Sequence, residues 1–248
     1  MQLRVISLAT REDRRARFNA WNARAGIDIE FVDGVVGAAL DRAALTAQRV
    51  MTASANAFSD GALGNAMSHR ALWLSARTAS QPTIIAEDDA CLRGDFAVRA
   101  PALLRQLPIG WDIVFLGYNT DASIAVEGPE GIKAVFLFDD VAKRTPGYFD
   151  DFARKTAPAP ASLACFQIWG TLCYAISPQG ADRLLSSCFP LDASTDLVLF
   201  GQGRVIKPYT LDGMINVALQ RQPLSAWCAY PPLALSLNDV ATSDVVSR

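Results

Sequence analysis

Short apolar runs typical of buried strands recur along this chain, separated by longer stretches with helical periodicity. The strand candidates are residues 3–8, 27–32, 83–86, 111–117 and 170–176. The helix candidates are residues 11–21, 61–78, 95–107, 178–188 and 212–222. Because strands and helices alternate in this way, the pattern predicts an α/β fold with a mostly parallel sheet flanked by helices, whose first two strands are parallel.

The helix candidate at residues 61–78 has a defined start and a predicted buried face. Ser59 or Asp60 can cap its first turn. The apolar positions that we expect to face the core are Leu63, Met67, Ala71 and Leu74. His69 lies roughly 200° from Met67 around the helix axis. The periodicity therefore predicts that His69 is on the opposite, polar face.

Two regions lack a regular pattern. Residues 38–58 are rich in alanine and are predicted to be helical. Residues 118–165 carry scattered prolines and charges, including a stiff proline-containing loop at residues 157–160, and are predicted to be a variable insertion. The regular pattern returns at residue 170, and Ser177-Pro178 then marks a helix start, with serine as the cap and proline at the first helical position.

Composition narrows the class of protein. With 248 residues and 51% apolar content, the chain can build one domain with a packed core. The net charge of −2 gives no general attraction to nucleic acid or to an anionic membrane, so contacts with phosphate must be local. Neither a signal-peptide pattern nor an apolar stretch near the ~20 residues of a transmembrane helix is present. We expect no transmembrane segment and at most peripheral membrane contact.

The cysteines bear on the cellular compartment. Their number is odd, they are widely scattered and they form no C-x-x-C pair: Cys91, Cys165, Cys173, Cys188 and Cys228. This pattern argues against a disulfide framework and against a zinc site. We therefore expect a reducing, cytoplasmic setting.

An acidic triplet, Glu87-Asp88-Asp89, follows directly on the buried strand at residues 83–86. Adjacent carboxylates in such a place repel one another unless solvent or a cation offsets their charge. Carboxylates suit Mg²⁺ or Mn²⁺, whose coordination is often completed by substrate phosphates. Strand alternation puts Glu87 and Asp89 on one side, as metal ligands, and Asp88 on the other, nearer the nucleotide. A solvated acidic turn is the alternative interpretation.

Several segments together resemble a known family. They are Val5-Ile6-Ser7-Leu8 with Asp13-Arg14-Arg15; Gly61-Ala62-Leu63-Gly64 with Ser68-His69-Arg70-Ala71-Leu72-Trp73; residues 84–89 and 111–117; Trp169-Gly170-Thr171 with residues 174–181; and, more faintly, Leu211-Asp212, Pro231-Pro232-Leu233 and Ser243-Asp244. In this order and spacing they resemble glycosyltransferase family 25, which includes bacterial lipooligosaccharide galactosyltransferases and animal collagen galactosyltransferases. Residues 118–165 have no recognisable counterpart there.

The resemblance implies a GT-A type fold in one domain, with a nucleotide-sugar-binding half at residues 1–117 and an acceptor-binding half at residues 118–248. It implies that the acidic triplet corresponds to the family's D-x-D-like metal motif, with Mn²⁺ or Mg²⁺ as cofactor and a uridine diphosphate (UDP) sugar as donor. It also implies transfer with inversion at the anomeric carbon. The expected partners are thus a nucleotide sugar and a glycan or other hydroxyl acceptor, while the oligomeric state stays open.

The candidate residues for donor binding follow the first two strands or lie in the helix at residues 61–78. Ser7 and Leu8 end the first strand, and Arg14, which matches the family motif, can reach a diphosphate. Asp33 can accept hydrogen bonds from a ribose or uracil, although an Asp-Gly turn explains it equally well. His69, in the family's Ser-His motif, is expected to contact the diphosphate or to position the metal ligands, and a purely structural role is the alternative.

The candidates on the acceptor side come from the last third of the chain. An inverting transfer needs a general base for the acceptor hydroxyl. Asp212 matches the family's late aspartate and is assigned this role, with Asp192 and Asp196 as fallbacks. Trp169, Gly170 and Thr171 are assigned to the sugar, because an indole face packs on a pyranose and glycine permits close approach. For Trp169, a buried core position is the alternative.

The leading hypothesis is a metal-dependent glycosyltransferase that moves a hexose, galactose by preference, from a UDP-sugar. A catalytically degenerate protein that binds a nucleotide sugar or glycan is the alternative. A third hypothesis is a nucleotide enzyme of another chemistry. It is disfavoured because neither a G-x-G-x-x-G nor a G-x-x-x-x-G-K-[ST] loop follows any strand.

Overall fold

The structure is a computed structural model, and it describes residues 2–238 of the chain. One part of the resemblance, Ser243-Asp244, lies outside the described residues. None of the helices within that range is long and apolar enough to cross a membrane.

The chain alternates between strands and helices, as its periodicity predicts. The strands are β1 (Gln2–Ser7), β2 (Asp28–Asp33), β3 (Thr83–Glu87), β4 (Cys91–Leu92), β5 (Ile113–Gly117), β6 (Ile124–Glu127), β7 (Lys133–Phe136), β8 (Ala161–Gln167), β9 (Cys173–Ile176), β10 (Leu197–Leu199), β11 (Arg204–Ile206), β12 (Ala226–Tyr230) and β13 (Ala234–Leu235). The helices are α1 (Glu12–Asn22), α2 (Arg42–Ala47), α3 (Asp60–Ala76), α4 (Phe96–Gln106), α5 (Tyr148–Phe152), α6 (Pro178–Cys188) and α7 (Leu211–Arg221).

One large sheet organises the molecule, with strand order β2-β1-β3-β9-β5-β12-β8-β6-β7. The pairs β1–β2, β1–β3 and β5–β12 are parallel, which confirms the predicted α/β fold and its parallel first pair. Strand β9 runs antiparallel to both β3 and β5, and β6, β7 and β8 extend the sheet by antiparallel pairing. Strands β1, β2, β3 and β5 therefore all end at the same edge, and β9 begins there.

Helices cover both faces of the sheet, because successive strand side chains point to opposite sides. On one face, Leu3 and Val5 pack with Phe18 of α1 and with Phe96 of α4. On the other face, the apolar side chains of β1, β3, β5 and β9 pack with those of α3, α6 and α7. The two resulting cores hold the sheet edge, at which the strands end, in a defined position.

The helix starts are largely as predicted. The Ser59 hydroxyl accepts from the Ala62 amide at the start of α3, and the Ser177 hydroxyl accepts from the Gly180 amide at the start of α6. The last helix begins at Leu211, one residue before the predicted start.

The predicted buried stripe of α3 is wrong in its second half. Ala71 is exposed and Leu74 is only partly buried, whereas His69, Leu72 and Trp73 are buried. The reason is that the helix lies between the sheet and the neighbouring helix α6, so the side assigned to solvent is covered as well.

The two irregular regions also differ from the predictions. Residues 38–58 are not one helix: they contain α2 and two short 3₁₀ turns, Gly37–Ala39 and Ala53–Ala57. Residues 118–165 are more than an irregular insertion, because they supply β6, β7 and most of β8 to the main sheet. Neither the alanine content nor the scattered prolines could predict these structures, because both regions are organised by contacts between residues far apart in the sequence.

Candidate active site

A cavity of about 560 Å³ opens at the edge where the parallel strands end. It is lined by residues at the ends of β1 and β3, by residues just after β5 and just before β9, by the loop at residues 34–38 and by the first turns of α3 and α7. We call it the main cavity, and among its lining residues are Ser7, Leu8, Arg14, Glu87, Asp88, Asp89, Gly170, Thr171 and Asp212. Ligands commonly bind at this edge of open α/β sheets. The cavity draws residues from both predicted halves of the chain.

The acidic triplet turns out of the sheet after its first residue. Strand β3 ends at Glu87, and Asp88 and Asp89 lie in the turn that follows. The alternation used to orient the three side chains therefore applies only to Glu87. All three carboxylates line the main cavity, including Asp88, which was predicted to point away from the metal.

Glu87 is held by three donors that meet at its Oε1 atom. The Thr171 hydroxyl donates at 2.5 Å, the Asn65 amide at 3.0 Å and the His69 Nε2 at 3.2 Å. Burial acts to raise the pKa of Glu87, but the interaction with His69 and the hydrogen bonds from Thr171 and Asn65 outweigh it and lower the pKa to about 2. Glu87 is therefore a fixed carboxylate, and no hydrogen bond from the described residues occupies its second oxygen, Oε2.

His69 is fully buried, which corrects its predicted position on a polar face. A carboxylate can only accept a hydrogen bond, so His69 Nε2 carries the proton that it donates to Glu87. In the neutral imidazole, Nδ1 then accepts from the Tyr174 hydroxyl at 2.8 Å, and that hydroxyl accepts from Trp73 Nε1 at 2.7 Å. Because His69 does not line the main cavity, its geometry fits the positioning of Glu87 and not direct contact with a diphosphate.

Asp88 is buried and forms an ion pair with Arg14, whose Nη1 lies 2.9 Å from Asp88 Oδ1. Arg14 is also mostly buried and lines the main cavity. The structure thus brings together these two residues, both of which were predicted to bind the nucleotide-sugar donor. A diphosphate that approached Arg14 would share the guanidinium with a carboxylate.

Asp89 differs from its neighbours in having one buried oxygen without a partner. Its Oδ2 accepts from the Ser236 hydroxyl at 2.8 Å, whereas Oδ1 is buried and accepts no hydrogen bond from the described residues. Burial and the nearby Glu87 charge raise the pKa of Asp89 to about 6, although Ser236 and Arg14 act in the opposite direction. A carboxylate oxygen without a hydrogen-bond partner, on a residue that lines a cavity, is a suitable ligand for a hard cation.

The donor set fits a divalent metal only if substrate completes the coordination. Within residues 2–238, no group of three or more His, Cys, Asp or Glu side chains is arranged as a metal site. Mg²⁺ and Mn²⁺ are commonly held by one or two carboxylates together with phosphates and water. Asp89 Oδ1 and Glu87 Oε2 are the oxygens that fit this arrangement.

Asp212, in the first turn of α7, lines the same cavity as the acidic triplet. Its Oδ2 accepts from the Gly170 amide at 2.8 Å, and its Oδ1 accepts from the Gly213 amide at 2.9 Å and from the Thr210 hydroxyl. Gly170 has a φ of +85°, and a Cβ atom there would lie 2.4 Å from the Asn119 side chain. Gly170 thus lies close to Asn119 and its amide holds the Asp212 carboxylate, while the predicted approach of a sugar to this glycine stays a prediction.

The fallback bases lie elsewhere. Asp192 accepts from the Ser54 and Ser194 hydroxyls, and Asp196 pairs with Lys207. Neither carboxylate lines the main cavity. Of the three candidates, Asp212 is the one that shares the cavity with the acidic triplet.

The wall opposite the triplet is a loop packed on the N-terminal part of α3. The Val35 amide donates to the Ser68 hydroxyl at 2.8 Å, and a Cβ atom at Gly64 would lie 2.5 Å from the Val35 carbonyl oxygen. Asp33 precedes this loop, but it pairs with Arg15 and is not among the residues that line the main cavity. Gly34 therefore lines the main cavity, whereas Asp33 does not.

Trp169 is separated from its two predicted partners. Gly170 and Thr171 line the main cavity, whereas Trp169, half-buried, lines a neighbouring cavity of about 350 Å³, the side cavity. Its other lining residues include Thr120, Asp121, Ser123, Phe138 and Gln202. The three residues of the predicted sugar-binding segment thus line two different cavities.

Several residues of the site were missed by sequence reasoning. Asn119 and Asn238 line the main cavity from loops, and Ser236 reaches Asp89 from a loop, but no pattern in the sequence marks them. Asn65 and His69 both reach Glu87, and their i,i+4 spacing was a signal that could have paired them. Tyr174 is a strand residue with no such signal.

Comparison with known proteins gives a family match. The family model described as glycosyltransferase family 25 (LPS biosynthesis protein) matches residues 1–199, which include the acidic triplet and Trp169-Gly170-Thr171. Asp212, Ser236 and Asn238 lie beyond the matched residues.

Two rodent proteins are similar to part of the chain. The mouse (Mus musculus) protein named inactive glycosyltransferase 25 family member 3 is 27% identical over 198 residues, covering 74% of this chain and 28% of the mouse protein. The rat (Rattus norvegicus) protein named probable inactive glycosyltransferase 25 family member 3 is 26% identical over 197 residues, covering 74% of this chain and 29% of the rat protein. The chain thus spans less than a third of the length of these relatives.

Among solved structures, the inositol-1-phosphate CTP transferase from T. maritima is similar at a TM-score of 0.36 and 10% identity. The match covers 99% of this chain and 73% of that chain. So distant a likeness has no bearing on function.

Proposed function

Because the chain belongs to glycosyltransferase family 25, we propose that it transfers a hexose, galactose by preference, from a UDP-sugar to the hydroxyl of a glycan or other acceptor. Transfer proceeds with inversion and with Mn²⁺ or Mg²⁺. The observation that carries the proposal is that Asp89, with an unpartnered buried oxygen, and Asp212, a fixed carboxylate, open onto one cavity.

The charge of the main cavity supports metal dependence. Within residues 2–238, its ionisable lining residues are five acids and one arginine, namely Asp60, Glu87, Asp88, Asp89, Asp212 and Arg14. A diphosphate would be repelled by such a surface, and Arg14 is already paired with Asp88. A bound Mn²⁺ or Mg²⁺ would offset this repulsion and stabilise the departing diphosphate. Asp89 Oδ1 and Glu87 Oε2 would hold it, with His69, Thr171 and Asn65 fixing the orientation of Glu87.

Asp212 is suited to remove the acceptor proton. In an inverting transfer, the base lies on the acceptor side and takes the hydroxyl proton while the oxygen attacks the anomeric carbon. The Gly170 and Gly213 amides hold the Asp212 carboxylate from two sides, so it keeps one orientation during the attack. Preorganisation of this kind reduces the entropy lost on reaching the transition state.

A second candidate function is binding of a nucleotide sugar without transfer. It is favoured by the rodent relatives, both of which carry the word inactive in their names. Two features of the site agree with it: both oxygens of Asp212 accept hydrogen bonds, and Arg14 is paired with a carboxylate. Product formation separates the two functions.

The test is a mass-spectrometric transfer assay with UDP-galactose, Mn²⁺ and a panel of saccharide and hydroxylysine-peptide acceptors. We expect product from the wild type, and loss of product with Asp89→Asn because the neutral amide is a poorer metal ligand. Asp196→Asn, which changes an exposed aspartate outside the main cavity, is the matched control and should retain activity. UDP-galactose binding without product across the panel would favour the binding function, and equal Mn²⁺-dependent rates for wild type and Asp89→Asn would contradict the metal assignment.

A further inference from the structure

The side cavity lies against the main cavity behind a shared wall. Asn119 and Gly170 line the main cavity, while the adjacent residues Thr120 and Trp169 line the side cavity. The Asn119 backbone amide donates to the Trp169 carbonyl at 2.8 Å, which joins the two segments of the wall. At the rim, Asn238 of the main cavity donates to Asp121 of the side cavity at 2.5 Å.

The lining of the side cavity combines aromatic and neutral polar groups. Trp169 and Phe138 supply aromatic surface, and Thr120, Ser123 and Gln202 supply hydroxyl and amide groups. No lysine or arginine occurs among the described residues that line it, and Asp121 is its one carboxylate. Such a surface disfavours phosphate and carboxylate ligands. It is suited to a neutral ligand with an apolar face and hydroxyl edges, which is the surface of a pyranose.

The cavity is built by parts of the chain that the family resemblance does not explain. Residues 120–123 and 137–138 belong to the segment without a recognisable counterpart, and Leu199, Gln202 and Ile206 belong to the β10–β11 hairpin. The antiparallel extension of the sheet by β6, β7 and β8 holds these pieces beside Trp169.

We propose that the side cavity binds one hexose unit of a neutral acceptor saccharide, with Trp169 as its stacking surface. The proposal rests on the proposed function and specifies its acceptor side. Trp169 and Gly170 are consecutive, and the Gly170 amide holds Asp212. A sugar seated on Trp169 therefore lies against the segment of the shared wall that holds Asp212. The volume of about 350 Å³ is near the lower end for ligand pockets, which suits a single sugar unit and not a long chain.

The test is saturation-transfer NMR of the full chain with methyl β-D-galactopyranoside and methyl β-D-glucopyranoside as probes, in the presence of saturating UDP and Mn²⁺. We expect transfer to at least one probe, and binding weakened about fivefold by Trp169→Ala and restored in part by Trp169→Phe. Trp21→Ala is the matched control, because Trp21 is also half-buried but lies on α1 outside both cavities. Gln202→Ala, at an exposed position, serves as a second cavity variant if Trp169→Ala does not fold.

The outcomes separate this proposal from the proposed function. Trp169-dependent binding of the probes without any donor turnover supports the sugar site and contradicts transfer. A second outcome is that the wild type turns over donor and that Trp169→Ala and Gln202→Ala change neither probe binding nor the KM for the acceptor. This outcome overturns the proposed sugar site but does not contradict the proposed transfer. Probe signals that disappear when UDP is added, or that never appear with the wild type, also overturn it.

Discussion

The carboxylates of the candidate site differ in which of their two oxygens accept hydrogen bonds, a difference that the sequence does not show. Glu87 receives three donors at one oxygen, and Asp212 receives donors at both. Asp89 keeps one buried oxygen without a partner. These differences underlie the roles that we propose: Asp89 binds the cation, Glu87 occupies a fixed position beside it, and Asp212 acts on the acceptor.

Replacing Asp212 tests the role of the base. Asp212→Asn keeps the size of the side chain and its acceptor oxygen but removes the basic carboxylate. We expect the transfer rate to fall by about 10²- to 10⁴-fold, the usual contribution of a general base, while UDP affinity is retained. Rates come from the transfer assay and affinity from calorimetry. Asp192→Asn, at a fallback position, should leave the transfer rate unchanged. If Asp192→Asn lost activity and Asp212→Asn kept it, Asp192 would be the base instead.

Asp192 instead links two loops, and its contribution to stability depends on pH. The Ser54 hydroxyl, joined by Ser194 and Thr52, lowers the pKa of Asp192 from 3.8 to about 2, although partial burial acts to raise it. A group whose pKa is lower in the folded state stabilises the fold above its unfolded pKa and loses that contribution as the pH falls through the folded pKa. The free energy of unfolding should therefore decline between about pH 4 and about pH 2 through this group.

Urea denaturation across this pH range checks the effect. The deficit in unfolding free energy of Asp192→Asn relative to the wild type should be largest near neutral pH and should shrink as the pH falls through the range. Ser54→Ala, which removes the strongest donor, should show the same trend. A deficit that stays constant with pH would show that the carboxylate charge is not involved.

At the scale of elements, the shape of the main cavity depends on close approaches between backbones. Gly64 in α3 lies against the loop at residues 34–38, where a Cβ atom would be 2.5 Å from the Val35 carbonyl oxygen and 2.8 Å from the Gly37 amide nitrogen. Glycine in a helix is otherwise unfavourable by about 1 kcal/mol relative to alanine. Its presence here is explained by the contact and not by helix propensity.

Gly64→Ala should therefore separate the loop from α3. We expect a net loss of about 1–3 kcal/mol in unfolding free energy, because overpacking exceeds the gain in helix propensity, together with weaker UDP binding. Chemical denaturation and calorimetry measure the two effects. Ala71→Gly, at an exposed position of the same helix, should lose about 1 kcal/mol and keep UDP affinity. If both variants bound UDP like the wild type, the loop would not belong to the donor site.

At the scale of the whole molecule, the net charge of −2 conceals a concentrated negative region. Among the described residues, five carboxylates line the main cavity, and Arg14 is the one cation that opposes them there. From this overall balance we predict that any phosphate binding must be local. The concentration of carboxylates is why we propose that such binding depends on a cation.

Removal of metal should accordingly abolish most of the stabilisation by UDP. A ligand that binds only the folded state raises its stability by about 2.7 kcal/mol at one hundred times its Kd. Thermal denaturation should thus show a clear rise in Tm with UDP and Mn²⁺, and little rise with UDP and EDTA. Asp89→Asn should show the smaller rise under both conditions. An equal rise in EDTA would indicate that Arg14 and backbone amides suffice for the diphosphate.

Local patterns were enough to predict much of this protein. Apolar runs and helical periodicity predicted the α/β class, the parallel pair β1–β2 and the caps at Ser59 and Ser177, because these depend on interactions between near neighbours in sequence. The acidic triplet could also be found, since its position after a strand is a local feature. Ordered motifs along the chain then indicated the family, which the match over residues 1–199 confirms.

Tertiary structure alone decided how those parts meet. The insertion of β9 between β3 and β5 brings Thr171 to Glu87, and it buries His69 against Tyr174, although these residues lie far apart in sequence. Ser236 reaches Asp89 across 147 residues. Such contacts depend on strand pairing and on which faces of a helix are covered, and neither is encoded in a short window of sequence. Which carboxylate oxygen remains available for a ligand was therefore decided only by the folded chain.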